Sequence, residues 1–224
     1  SLMFYYFLIP LIENFHFLNL FNYLTFRAGG ALFTAFFISL FLGPKLIKIL
    51  KKIQKEGQPI RKDGPKNHLI SKAGTPTMGG MLILISLFFS IILWGDLSSN
   101  LFWLVFSITI FFGLIGACDD YKKLKSNSPD GINSSLRLIL EFSISFIFIF
   151  MLNSTISQEL INVVYIPFTK GYLIDLNIFY YFFGSLVIVG CANAVNLTDG
   201  LDGLAIGPIM ISALSFAFIT YFTG

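Results

Sequence analysis

Four aspartates of this 224-residue chain stand where apolar segments end or begin: Asp119 and Asp120 close one, and Asp199 and Asp202 precede another. Carboxylates are costly beside hydrocarbon, so acids at the mouths of hydrophobic spans mark a site for a cation or for a phosphate-bearing substrate. Two adjacent acids at a helix C-terminus repel each other and the helix dipole, and so call for a positive partner. Lys122, Lys123 or a bound Mg²⁺ would fill that role, the ion because it takes hard oxygen ligands and commonly joins one or two carboxylates to substrate phosphates. The competing reading is a solvated acidic helix end neutralised by its own lysines. Around the second pair, the run from Asn193 through Asn196, Thr198, Asp199 and Asp202 to Ala205 puts two amides and two carboxylates into a short glycine-bearing turn. A helix beginning near Thr198 would turn Asp199 and Asp202 to one side. Capping by Thr198 or Asp199 accounts for one acid there, but it requires neither asparagine.

A third element is the stretch Gln58-Pro59-Ile60-Arg61-Lys62-Asp63-Gly64-Pro65, followed by Lys72-Ala73-Gly74-Thr75-Pro76-Thr77-Met78-Gly79-Gly80. Thr75 at an N-cap with Pro76 after it is ordinary helix-start chemistry. Beside Lys72, the free N–H groups of such a helix start also form an anion site. Gly79 and Gly80 are expected to allow close helix packing. His16 and His68 have no partners at ligand spacing and are expected at the surface or interface. Cys118 and Cys191 lie in apolar runs without a second ligand nearby and are expected to be buried small hydrophobes, not a disulfide or a metal knuckle.

The elements that must position these residues follow from composition. The chain is 55% hydrophobic and 12% charged, with 27 phenylalanines, too apolar for a soluble domain of this size. Apolar stretches near 26–44, 79–95, 101–118, 138–152, 178–195 and 203–222 approach the roughly 20 residues that a bilayer core requires. The expected fold is an all-α integral membrane protein: a polytopic bundle of six transmembrane helices forming one domain over residues 1–224. The first twenty-odd residues are aromatic-rich but broken by Pro10, Glu13, Asn14, His16 and Asn19, which suits an interfacial helix. No basic n-region precedes them, so no signal peptide is expected. Between Val163 and Ile174 two short apolar runs flank Lys170-Gly171, a pattern for a small β-hairpin.

Nine of the fifteen Lys and Arg lie between Lys45 and Lys72, and Lys122, Lys123, Lys125 and Arg137 follow the third span. Short basic loops stay cytoplasmic, so parity puts the N-terminus and the hairpin outside and all four aspartates inside. A small net charge with its basic residues concentrated between Lys45 and Lys72 argues against a nucleic-acid partner. A transporter suits the acids but not the Thr-Pro-Thr-Met-Gly-Gly and asparagine-bearing loops, and no internal repeat supports one.

The runs QPIRKDGP, KAGTPTMGG, GACDDYKK and NAVNLTDGLDGLA, in this order, resemble the bacterial phospho-N-acetylmuramoyl-pentapeptide transferases of the polyprenyl-phosphate N-acetylhexosamine-1-phosphate transferase superfamily. The resemblance extends over nearly the whole chain after residue 22. It implies a Mg²⁺-dependent transfer of the phospho-sugar-pentapeptide of UDP-MurNAc-pentapeptide to undecaprenyl phosphate, giving lipid I and UMP at the cytoplasmic face of the bacterial inner membrane. On that resemblance Asp119 and Asp120 match the family's DD motif, would activate or position the lipid phosphate, and are candidate metal ligands, with one of them a candidate base. Asn193, Asn196, Asp199 and Asp202 match the loop that holds the nucleotide, and Lys72 and Thr77 line the same cleft. Arg137, a further substrate-binding candidate, stands where the family usually has a lysine, and a planar guanidinium is not equivalent to a point charge. Reduced activity is therefore expected, checked by Arg137→Lys. The implied partners are the two substrates and membrane lipid; self-association as a homodimer is a further expectation. The family's third essential aspartate and a histidine-rich loop lie in a C-terminal part that this chain is expected to lack. Two alternatives stand beside this reading: a non-catalytic remnant or half-protein, and a related transferase that uses UDP-N-acetylglucosamine with the same lipid.

Overall fold

The structure, a computed structural model, describes residues 11, 15–54, 76–126, 128, 130–157, 161–166, 168–169, 173–199 and 203–223. A 3-10 helix, His16–Asn22, leads into α1, Leu24–Ile53. Then follow α2, Gly80–Trp94; α3, Asn100–Ser126; α4, Ser134–Asn153; strands β1, Val163–Tyr165, and β2, Leu173–Asp175; α5, Phe179–Thr198; and α6, Ile206–Thr223. Five of these helices are long and apolar enough to cross a membrane, and α2 is a shorter apolar helix. The expected all-α polytopic fold is thus borne out, together with the small hairpin.

Two helices overrun their apolar stretches at the charged end. Pro44 sits inside α1, which runs on through Lys51 and Lys52, cations that complement its C-terminal dipole. Past Asp119 and Asp120, α3 continues to Ser126, so the acids lie within the helix and not at its end as expected. The Lys123 ammonium, one turn on, offsets their charge and lets the helix proceed.

The chain forms two compact units, Ser1–Ile144 and Ser145–Gly224. In the first, α1 packs along α2 through polar contacts that apolar surroundings favour between helices. Ser39 Oγ and Ser86 Oγ lie 2.9 Å apart, Ser90 Oγ donates to the Ala31 carbonyl at 2.6 Å, and Trp94 Nε1 donates to Thr34 Oγ1 at 2.9 Å. Phe21 stacks on Trp94 with ring centres 5.6 Å apart and closes that end of the pair. Trp94 fits only because Gly30 has no side chain, since a Cβ there would lie 2.5 Å from the indole ring. Gly30→Ala is accordingly expected to cost about 1–3 kcal/mol by overpacking, read as a lower Tm in detergent with altered tryptophan fluorescence. At Gly79 and Gly80, expected to pack closely, a Cβ would meet nothing within 4 Å among the described residues. Between α2 and α3, Asp96 accepts from Ser98 Oγ at 2.6 Å and from the Ser98 N–H at 3.0 Å. These hydrogen bonds hold its carboxyl below the usual carboxylate range.

In the second unit, Ile149 of α4 fills the space left by Gly184 of α5, and Phe146 meets Tyr181 with ring centres 5.6 Å apart. Asn153, buried at the end of α4, donates to Asn162 Oδ1 at 2.5 Å and to the Tyr181 hydroxyl at 3.1 Å, tying the hairpin to both helices. The strands pair antiparallel with Val164 opposite Ile174. Cys118 and Cys191 are free but exposed, which corrects the expectation of burial. A helix in lipid can direct a small apolar side chain outward as cheaply as inward, so an apolar run does not reveal which face is buried. His16 is exposed, as expected.

Candidate active site

In the first unit, the acid pair and the loop before α2 meet. Thr77 Oγ1 donates to Asp120 Oδ2 at 2.8 Å, and the Met78 N–H donates to the same oxygen at 3.2 Å. Asp119 turns to the other side of α3, where its Oδ1 accepts the Ile132 N–H at 2.7 Å and its Oδ2 meets Lys123 Nζ at 2.6 Å. Lys123 Nζ also lies 3.9 Å from Asp120 Oδ1, so one ammonium serves both acids. Of the two lysines proposed from sequence, Lys123 is the one that pairs with the acids among the described residues.

The surroundings separate two like residues. The Asp119 side chain is 12% exposed and both its oxygens are engaged, whereas that of Asp120 is 29% exposed and, among the described residues, its Oδ1 faces only the more distant ammonium. Gly131 permits the Asp119 arrangement, because a Cβ at that position would collide with the carboxylate. Gly131→Ala is expected to displace Asp119 and to cost about 1–3 kcal/mol by overpacking, read as a lower Tm of the purified variant in detergent.

Arg137, on the first turn of α4, binds Glu141 through its Nε at 2.8 Å. Glu141 is 2% exposed, a buried carboxylate in a largely apolar helix. The Arg137 charge is also within electrostatic reach of Asp119. Glu141 was not among the residues picked from sequence, although its position four residues after Arg137 inside an apolar run is a readable signal. Gln54 and Gly131 were missed for a different reason, since their roles depend on contacts distant in sequence.

The remaining candidates lie in the second unit or outside the described residues. Asn193 is half-buried in α5 and donates to the Val189 carbonyl at 2.9 Å, while Asn196 and Asp199 are exposed. Thr198 is the last residue of α5 and donates back to the Ala194 carbonyl at 2.8 Å, with Asp199 at the C-cap. This corrects the expectation of a helix starting near Thr198: α5 carries its amides as far as Thr198, and the next helix begins only at Ile206. Likewise α2 starts at Gly80 and not at Pro76, because Met78 adopts a left-handed φ of 70° that no helix continues. Thr77 is thereby free to reach Asp120. Lys72, Asp202, Thr75 and the stretch 58–65 lie outside the described residues.

The model of glycosyl transferase family 4 matches residues 101–224, more than half of the chain. The chain belongs to glycosyl transferase family 4. Within glycosyl transferase family 4, a phospho-N-acetylmuramoyl-pentapeptide-transferase signature matches residues 72–84, the segment that holds Thr77 and Met78. The chain is 51% identical over 208 residues to the phospho-N-acetylmuramoyl-pentapeptide-transferase of Gluconobacter oxydans, covering 93% of this chain and 57% of the relative. It is 45% identical to that of Pelagibacter ubique and 47% identical to that of Rickettsia bellii, each match covering 99% of this chain and 61% of the relative. These family members bear out the resemblance read from the motifs. The chain spans about three fifths of the length of the curated relatives it matches.

Proposed function

We propose that this multi-pass chain of the bacterial inner membrane carries the acidic part of a site that transfers phospho-N-acetylmuramoyl-pentapeptide from UDP to undecaprenyl phosphate, forming lipid I and UMP. The observation that carries the reading is the hydrogen bonding of Asp120 by Thr77 and Met78, which joins the family's signature segment to the acid pair.

The donor set fits Mg²⁺. Asp120 Oδ1 retains capacity for a ligand, and among the described residues no third His, Cys, Asp or Glu joins the pair. An ion there would take its remaining ligands from substrate phosphates and water, as Mg²⁺ commonly does. When bound, it supplies neutralisation of phosphate charge. Asp120 is thus the acid that meets metal or lipid phosphate, while Asp119 holds Lys123 and the Gly131–Ile132 turn in place. Lys123 and Arg137 place fixed positive charge beside the acids, where the phosphoryl oxygens need it. Lys72, Thr77, Asn193, Asn196, Asp199 and Asp202 are assigned to the nucleotide substrate. The site faces the cytoplasm and the N-terminus lies outside, on the strength of the basic loops.

The test is UMP release from UDP-MurNAc-pentapeptide by the chain in detergent with undecaprenyl phosphate. Release that stops on chelation and returns with Mg²⁺ is expected. Release from UDP-N-acetylglucosamine instead would favour the related transferase, and no release from either would favour a non-catalytic chain.

A further inference from the structure

We infer that Gln54 is a positioning residue that sets the Thr77–Met78 peptide on Asp120, an inference that rests on the reading of Asp120 given above. Gln54 terminates α1 and is 8% exposed. Its own N–H already satisfies the helix end by bonding the Leu50 carbonyl at 2.8 Å, so its side chain is not needed there. That side chain instead pairs with the backbone of Thr77 at both ends of the amide. The Thr77 N–H donates to Gln54 Oε1 at 2.8 Å, and Gln54 Nε2 donates to the Thr77 carbonyl at 3.3 Å. A side-chain amide that matches both backbone groups of one residue fixes its orientation as a neighbouring strand would.

The next residue shows what this orientation achieves. Met78 holds a φ of 70°, unfavourable for a side chain with a Cβ and retained only where the surroundings over-determine it. Gln54 on one side and Asp120 on the other are those surroundings. With the Thr77 peptide held, the Thr77 hydroxyl and the Met78 N–H converge on Asp120 Oδ2 and leave Oδ1 available. Both Gln54 and Thr77 are uncharged and 23 residues apart, and neither touches a reacting group through this contact.

Residue-resolved amide hydrogen exchange on the full chain in detergent, combined with steady-state kinetics, tests the inference. In Gln54→Ala the Thr77 and Met78 amides should exchange roughly three- to tenfold faster, the loss of about one hydrogen bond each, while amides in the middle of α1 and α2 keep their rates. Turnover should fall by a larger factor than the nucleotide KM rises, the KM change being confined to what Thr77 itself contributes to the nucleotide. Gln54→Glu retains the Oε1 acceptor, so Thr77 protection should persist and kcat should recover in part. Unchanged Met78 exchange in a folded Gln54→Ala variant overturns the inference. If that variant does not fold, Gln54→Glu decides, and Thr77 exchange accelerated there despite intact helices overturns it equally. Accelerated exchange with wild-type kcat would instead remove Asp120 from the chemistry while leaving the Gln54–Thr77 contact standing.

Discussion

Asp120→Asn lowers turnover by about 10³-fold and leaves thermal unfolding nearly unchanged: this is the largest effect expected of any single substitution. The amide oxygen of asparagine can still accept from Thr77 Oγ1 and the Met78 N–H, so the loop before α2 keeps its anchor. What disappears is the negative charge on the oxygen with ligand capacity to spare, and a group aimed at developing charge or at a metal commonly accounts for 10²–10³ or more in kcat. Asp119→Asn should behave differently. Its two oxygens serve the Ile132 N–H and the Lys123 ammonium, and an amide NH₂ turned toward either would set a donor against a donor. Turnover and Tm should therefore fall together. Kinetics and unfolding of both variants in the same detergent check the contrast, and equal loss of stability in the two would erase the proposed division of roles.

The second large effect is on stability. Arg137→Ala removes one partner, itself 24% exposed, from a carboxylate that is 2% exposed, a change expected to cost about 3 kcal/mol, the low end for breaking a buried ion pair from one side. Replacing both partners, Arg137→Leu with Glu141→Leu, should recover most of that loss, because neither charge then remains in an apolar site. Turnover should not recover, since the cation assigned to substrate is gone. Arg137→Lys separates the two roles further: an ammonium can still meet Glu141, though without the guanidinium fork, so some stability is lost while turnover is expected to rise. Unfolding midpoints in detergent, set beside kcat for the same proteins, give the comparison. A double variant as unstable as Arg137→Ala would show that the packing of the two side chains, and not the charge left buried at Glu141, sets the loss.

Much of the fold was legible because lipid imposes one rule on every span, a long apolar run, and the sequence obeys it. The hairpin was legible from Val163-Val164-Tyr165 and Leu173-Ile174, apolar runs rich in β-branched and aromatic residues. Helix ends were less so. Thr198 looks like a cap in isolation, yet it turns to the carbonyl one turn before it, and Thr77, two residues past the expected cap at Thr75, is drawn to a carboxylate 43 residues away. The acid pair was recognised from its charge and position, but its two unlike environments were not, because they depend on Lys123, Gly131 and Thr77 arriving from three directions. Gln54 left no local signal at all. A polar residue at the end of a membrane helix is ordinary, and its contact with Thr77 exists only once α1 and α2 have packed.

The most direct measurement is Mg²⁺-dependent UMP release from UDP-MurNAc-pentapeptide, compared between sealed inverted and right-side-out vesicles containing this chain and undecaprenyl phosphate. The nucleotide is too polar to cross the bilayer, so an acid site at the cytoplasmic face gives release from inverted vesicles alone, abolished by Asp120→Asn. Equal release from both orientations, or release that survives Asp120→Asn, would contradict it.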